Sequence, residues 1–95
     1  MAAPKKVFEV ESTSRADLDF IYWQGSGNLK ILTRINKLIE AARLNPATGL
    51  GKPERLKFHN AETYSRRIDR THRLVYRVEG EKITILAARF HYADK

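Results

Sequence analysis

The sequence predicts a small α+β domain in which two N-terminal helices pack on one face of an antiparallel, twisted β-sheet. Three observations predict it. Helical periodicity is confined to residues 14–43, strand-like segments fill residues 55–91, and Asn45-Pro46-Ala47-Thr48-Gly49-Leu50-Gly51 separates the two. The 95 residues suffice for one hydrophobic core, so residues 1–95 are read as a single domain.

The first element is a strand at residues 6–10, where Val7 and Glu9 alternate with Phe8 and Val10. Ser12-Thr13-Ser14 then offers hydroxyls for a helix N-cap, with Asp17 three residues after Ser14. In the helix that follows, Leu18, Ile21 and Tyr22 share a face with Phe20 and Trp23 beside it, until Gln24-Gly25-Ser26-Gly27 interrupts. A second helix begins near Asn28. Its apolar positions Ile31, Leu32, Ile35, Leu38, Ile39 and Ala42 recur at helical spacing, while Lys30, Arg34, Lys37 and Arg43 fall mostly on the other side. The two helices are expected to form an antiparallel hairpin. Strands are expected at Arg55 to Phe58, Thr63 to Asp69, His72 to Glu79 and Lys82 to His91, with Glu79-Gly80-Glu81 as a hairpin turn. Short connections favour a meander whose uncovered face is left for a substrate.

Composition narrows the partner. There are 18 Lys and Arg against 11 Asp and Glu, a net charge of +7 and a pI near 10.0, which favours a polyanion, with an acidic protein as the rival. Eight of the cations lie between Lys52 and Arg77. The absence of cysteine excludes disulfides and thiolate metal sites. His59, His72 and His91 lack metal-ligand spacing, so no metal or other cofactor is expected. The longest apolar runs are too short to span a bilayer and no apolar stretch of signal-peptide type follows Met1 to Lys6. A cytoplasmic chain without a membrane partner is expected.

The chemistry-bearing residues lie in the second half. Strand parity sets Ile83, Ile85, Ala87, Arg89 and His91 against Thr84, Leu86, Ala88, Phe90 and Tyr92. His91 and Tyr92 therefore reach one site only if the strand bends or ends near them. Arg66 and Arg67 point to opposite faces, Arg66 with Ile68, which leaves Arg67 as the better candidate for the uncovered face. Leu74, Tyr76 and Val78 read as core-facing, with Arg73, Val75 and Arg77 opposite. A three-residue connection would align Arg67 with Arg73, and a two-residue one would not. Such a pair either clamps a phosphate bidentately or meets an acidic protein. Glu54 and His91, with ordinary pKa values of roughly 4.3 and 6.5, are the pair suited to removing one proton and delivering another.

Gly51-Lys52-Pro53-Glu54-Arg55-Leu56-Lys57, Tyr64-Ser65-Arg66-Arg67-Ile68, His72-Arg73-Leu74-Val75-Tyr76 and Arg89-Phe90-His91-Tyr92, in that order, resemble the YoeB (Txe) toxins of the RelE/ParE superfamily. The resemblance extends through Ile21-Tyr22-Trp23-Gln24 and residues 30–39. It implies a RelE-like fold and a ribosome-dependent mRNA endonuclease acting in the decoding site, held inactive by a Phd/YefM-type antitoxin and forming homodimers. It also implies roles: Glu54 as general base, His91 as general acid, Arg73 on the transition state, Lys57 and Arg67 on phosphate, and Tyr92 positioning the substrate. Arg66 and Lys52 join the phosphate-binding set as neighbouring cations. No metal is required by such a mechanism, because the nucleophile is the RNA's own 2′-hydroxyl.

This chain departs from the family pattern in three places. Ala93-Asp94-Lys95 follows His91-Tyr92 where family chains typically stop, Phe90 stands where Tyr is common, and Met1 to Lys5 extends the N-terminus. Two other readings compete: a ParE-like toxin that binds a protein target without cutting RNA, and a passive RNA- or ribosome-binding protein.

Overall fold

Each helix starts at a short polar side chain that accepts an otherwise orphaned backbone N–H. Thr13 accepts from Ala16 N and opens α1 (Ser14–Ser26); Asn28 accepts from Ile31 N and opens α2 (Leu29–Leu44). The first cap is thus Thr13, one residue before Ser14, and Ser12 donates to the Asp17 carboxylate at 2.5 Å. Gly27 takes the left-handed conformation (φ 74°) that ends α1 and turns the chain directly into α2. The computed structural model describes residues 7–57 and 61–90.

Five strands complete the fold: β1 (Glu9–Ser12), β2 (Glu54–Arg55), β3 (Glu62–Arg67), β4 (Arg73–Glu79) and β5 (Lys82–Ala87), in the sheet order β1-β5-β4-β3-β2. The last four form the expected antiparallel meander. β1, however, pairs parallel with β5, so the sheet is mixed. A parallel neighbour needs a long crossover, and the α1–α2 segment together with the meander supplies it.

α2 presents the face its sequence predicts, with Ile35, Leu38 and Ala42 buried and Ile31, Leu32 and Ile39 packed beside them. The core partners on the sheet are Tyr64, Leu74, Tyr76, Ile83 and Ile85, joined by Ile68 and Ala88. α1 departs from its periodicity: Ala16, Asp19 and Trp23 are buried, while Leu18, Ile21 and Tyr22 are exposed. Tertiary hydrogen bonds explain the rotation. Asp19 accepts from Ala88 N at 2.9 Å and Trp23 Nε1 donates to Ala88 O at 2.8 Å, so the helix turns its polar acceptor and indole inward.

The strand expected at Lys82 to His91 ends at Ala87. Val75 pairs with Ala87 but Tyr76 with Ile85, which leaves Leu86 as the extra residue of a bulge. The bulge reverses parity: Ile83 and Ile85 face the helices, whereas Ala87 lies opposite Val75 on the other face. The alternation expected through Arg89 and His91 therefore stops before it reaches them.

Candidate active site

Glu54, Arg67 and Arg73 share the sheet face opposite the helices, because register lines them up. Glu54 pairs with Ser65 and Ser65 with Val75, on one row; Arg67 pairs with Arg73 on the next. Directly paired residues have Cα atoms about 5 Å apart, and Glu54 is two strand spacings, roughly 9–10 Å, from β4. Ile68 N donates to His72 O at 2.9 Å, so the connection is the three-residue Asp69-Arg70-Thr71 turn that aligns the two arginines. Asp69 Oδ1 accepts from Thr71 N and His72 N and holds that turn.

Arg66 must be corrected. It faces the helices, is fully buried, and donates to Tyr76 Oη at 2.8 Å and to the carbonyls of Leu50, Asn45 and Thr48. All three guanidinium nitrogens are engaged inside the protein, away from the face that would meet a phosphate. Its work is to fold residues 45–51 into the loop that carries Lys52 and Glu54. Burial pushes the Tyr76 hydroxyl above the usual phenol range, and that hydroxyl in turn donates to Pro46 O. Gly51 seals the same loop: its φ of 85° suits glycine, and a Cβ there would lie 2.6 Å from Leu38 Cδ2.

Arg73 has the opposite character. Its Nε is shielded from solvent and has no hydrogen-bond partner among the described residues, a rare state for a buried donor. A cleft of about 490 Å³ opens beside it, lined by Arg34, Arg67, Ile68, Asp69, Arg70 and Arg73. Arg34 and Arg70 were not singled out from the sequence. Arg34 lies on the polar side of α2 and donates to Arg67 O at 3.0 Å, a contact between distant segments that periodicity does not foreshadow. Glu54, Lys52 and Lys57 are all exposed.

His91 and Tyr92 lie outside the described residues, as does His59. The three residues before His91 are held group by group. Ala88 N reaches Asp19, Ala88 O receives Trp23, Arg89 O receives Arg15 Nη2 at 3.3 Å, Phe90 N reaches His72 Nδ1 at 2.7 Å, and Phe90 O receives Arg73 N at 3.2 Å. The Arg89 guanidinium lies 3.4 Å from the centre of the Tyr22 ring. Lys52 (φ 51°) and Phe90 (φ 66°) are the non-glycine residues with left-handed backbone among those described. One stands two residues before Glu54, the other next to His91.

The model of YoeB-like toxins of bacterial type II toxin–antitoxin systems matches residues 12–92. The chain belongs to that family. It is 44% identical over 80 residues to the toxin YoeB of Streptomyces coelicolor, covering 84% of this chain and 94% of that protein. A YoeB/ParE toxin from Agrobacterium tumefaciens superposes with a TM-score of 0.82 at 40% identity, covering 88% of this chain and 99% of that one. The Staphylococcus aureus YoeB, 38% identical and covering 90% of this chain and 98% of its own, matches as a dimer (TM-score 0.77) and in complex with YefM (0.76). Family membership agrees with the mixed sheet and the helix pair. No helix among the described residues is long and apolar enough to cross a membrane.

Proposed function

We propose that this toxin is a ribosome-dependent mRNA endoribonuclease that cuts through the RNA 2′-hydroxyl by metal-independent acid–base catalysis. The observation that carries the reading is the shared sheet face of Glu54, Arg67 and Arg73, with the two arginines paired in register and Glu54 on the adjoining row. In the reaction, Glu54 takes the 2′-OH proton as the 2′-oxygen bonds to phosphorus. The bond from phosphorus to the 5′-oxygen breaks, and His91 protonates that oxygen. The products are a 2′,3′-cyclic phosphate and a 5′-hydroxyl. Arg73 stabilises the charge that builds on the equatorial oxygens, and its Nε, unpaired among the described residues, is a donor suited to such an acceptor. Arg67, Lys57 and Lys52 hold flanking phosphates, and Tyr92 positions the substrate.

The protein acts as one cytoplasmic domain on mRNA in the decoding site of the ribosome, and a Phd/YefM-type antitoxin silences it. The S. aureus structures support both the antitoxin and a homodimer, and the exposed Leu18, Ile21 and Tyr22 of α1 support a protein partner. Primer extension on mRNA translated by purified ribosomes tests the activity. Cuts are expected within the bound codon, and replacing the 2′-OH by hydrogen should abolish them. Uncut message at stoichiometric toxin would overturn the nuclease assignment, and cleavage of the 2′-deoxy substrate would overturn the chemistry.

A further inference from the structure

We propose that His72 is a positioning residue: its imidazole holds the backbone at Phe90 and so aims the chain that enters His91. The inference rests on the reading of His91 as general acid. Phe90 has a φ of 66°, a conformation costly for a bulky side chain and sustained only when its surroundings over-determine it. Two bonds clasp it. Phe90 N donates to His72 Nδ1 at 2.7 Å, and Arg73 N donates to Phe90 O at 3.2 Å, so consecutive residues of the β4 entrance hold both backbone groups of one residue. Arg73 is the residue assigned to the transition state. The clasp therefore joins Phe90, the residue that precedes the proposed acid in the sequence, to the proposed anion-stabilising residue and its neighbour.

His72 is itself held in place. Its ring stands edge-on to Trp23 with centroids 4.8 Å apart, and Trp23 is anchored through its indole N–H to Ala88 O. Its backbone N–H is fixed by Asp69 at 2.7 Å, and the Phe90 ring lies 5.5 Å from the imidazole. In this bond Nδ1 acts as an acceptor through its ring lone pair. That use of the ring sets His72 apart from a general acid. Small displacements of a catalytic group are costly to the rate, which gives the clasp its functional weight.

Two substitutions separate the hydrogen bond from the packing. His72→Phe keeps a ring against Trp23 and removes the acceptor, whereas His72→Asn presents its Oδ1 in place of Nδ1. In the ribosome-dependent cleavage assay, His72→Phe is expected to lower kcat about a hundredfold with little change in KM, and His72→Asn to restore most of it. Amide hydrogen exchange of Phe90 in the free protein supplies a readout independent of cleavage: slow in the parent, at least tenfold faster in His72→Phe, and slow again in His72→Asn. Equal exchange rates in all three, or a parent-like kcat in His72→Phe, would overturn the positioning role. A parent that cuts no message while its Phe90 exchange follows the expected order would overturn the nuclease reading and leave the clasp standing.

Discussion

The two faces of the sheet treat neighbouring arginines in opposite ways. On the helix side Arg66 is buried with its nitrogens donating to Tyr76 Oη and three backbone carbonyls. On the other side Arg67 is exposed and its register partner Arg73 keeps a shielded Nε without an acceptor among the described residues. Arg77, on that same face, lies 3.3 Å from Glu79 as an ion pair, but its Nε lacks hydrogen-bond alignment. One residue's shift along a strand thus divides a structural arginine from arginines with unused donors. Charge alone does not mark a ligand site; the state of the donors does.

Four substitutions or titrations break or sharpen this contrast. Arg66→Ala should be the most damaging to the fold, costing about 3 kcal/mol or more, because it orphans carbonyls and the Tyr76 hydroxyl around a cavity. Thermal unfolding would read this as a Tm loss of more than about 10 °C, and a loss under about 3 °C would contradict the structural role. Arg73→Met should do the reverse. Cleavage should fall about a hundredfold, near 2.7 kcal/mol on the barrier, while Tm stays within about 3 °C, since an unpaired donor contributes no bond to lose. A large Tm drop with unchanged cleavage would exchange the roles of the two arginines.

Gly51→Ala tests the loop that Arg66 organises. A Cβ 2.6 Å from Leu38 Cδ2, at φ 85°, should cost about 2 kcal/mol in denaturant unfolding. A neutral result would mean the loop is loosely held. The smallest effect concerns Tyr76, whose folded pKa lies above its unfolded value near 10 through burial. The stability this provides is fully present below about pH 10 and is lost as pH rises through the higher folded pKa. Tyr64 shifts the same way, first through its hydrogen bond to Glu62. Phenolate absorbance in the folded protein should therefore show these hydroxyls titrating after an exposed one. Simultaneous titration of all four tyrosines would indicate that the hydroxyl bridging Arg66 and Pro46 is not buried in solution.

The site was legible in the sequence where parity and spacing suffice. Alternation put Arg66 with Ile68 and set Arg73 and Arg77 apart from Leu74 and Tyr76, and turn length left two registers, of which the structure has the three-residue one. The use of Arg66 was not legible, because its acceptors are carbonyls at residues 45, 48 and 50, far along the chain. The inward face of α1 was misread for a related reason. Hydrophobic periodicity favoured Leu18, Ile21 and Tyr22, but Asp19 and Trp23 have partners on Ala88 that no local pattern encodes.

The sequence by itself determined the element order, the cap at Thr13 to within a residue, the start of α2 near Asn28, the amphipathic face of α2 and the alternation of β3 and β4. All of these depend on neighbours within a few positions. The tertiary structure decided the parallel pairing of β1, the bulge at Leu86 that ends β5 early, and the clasp of His72 and Arg73 on Phe90. These depend on which distant backbone groups meet, and a buried N–H or C=O takes whatever partner the packed chain brings within reach.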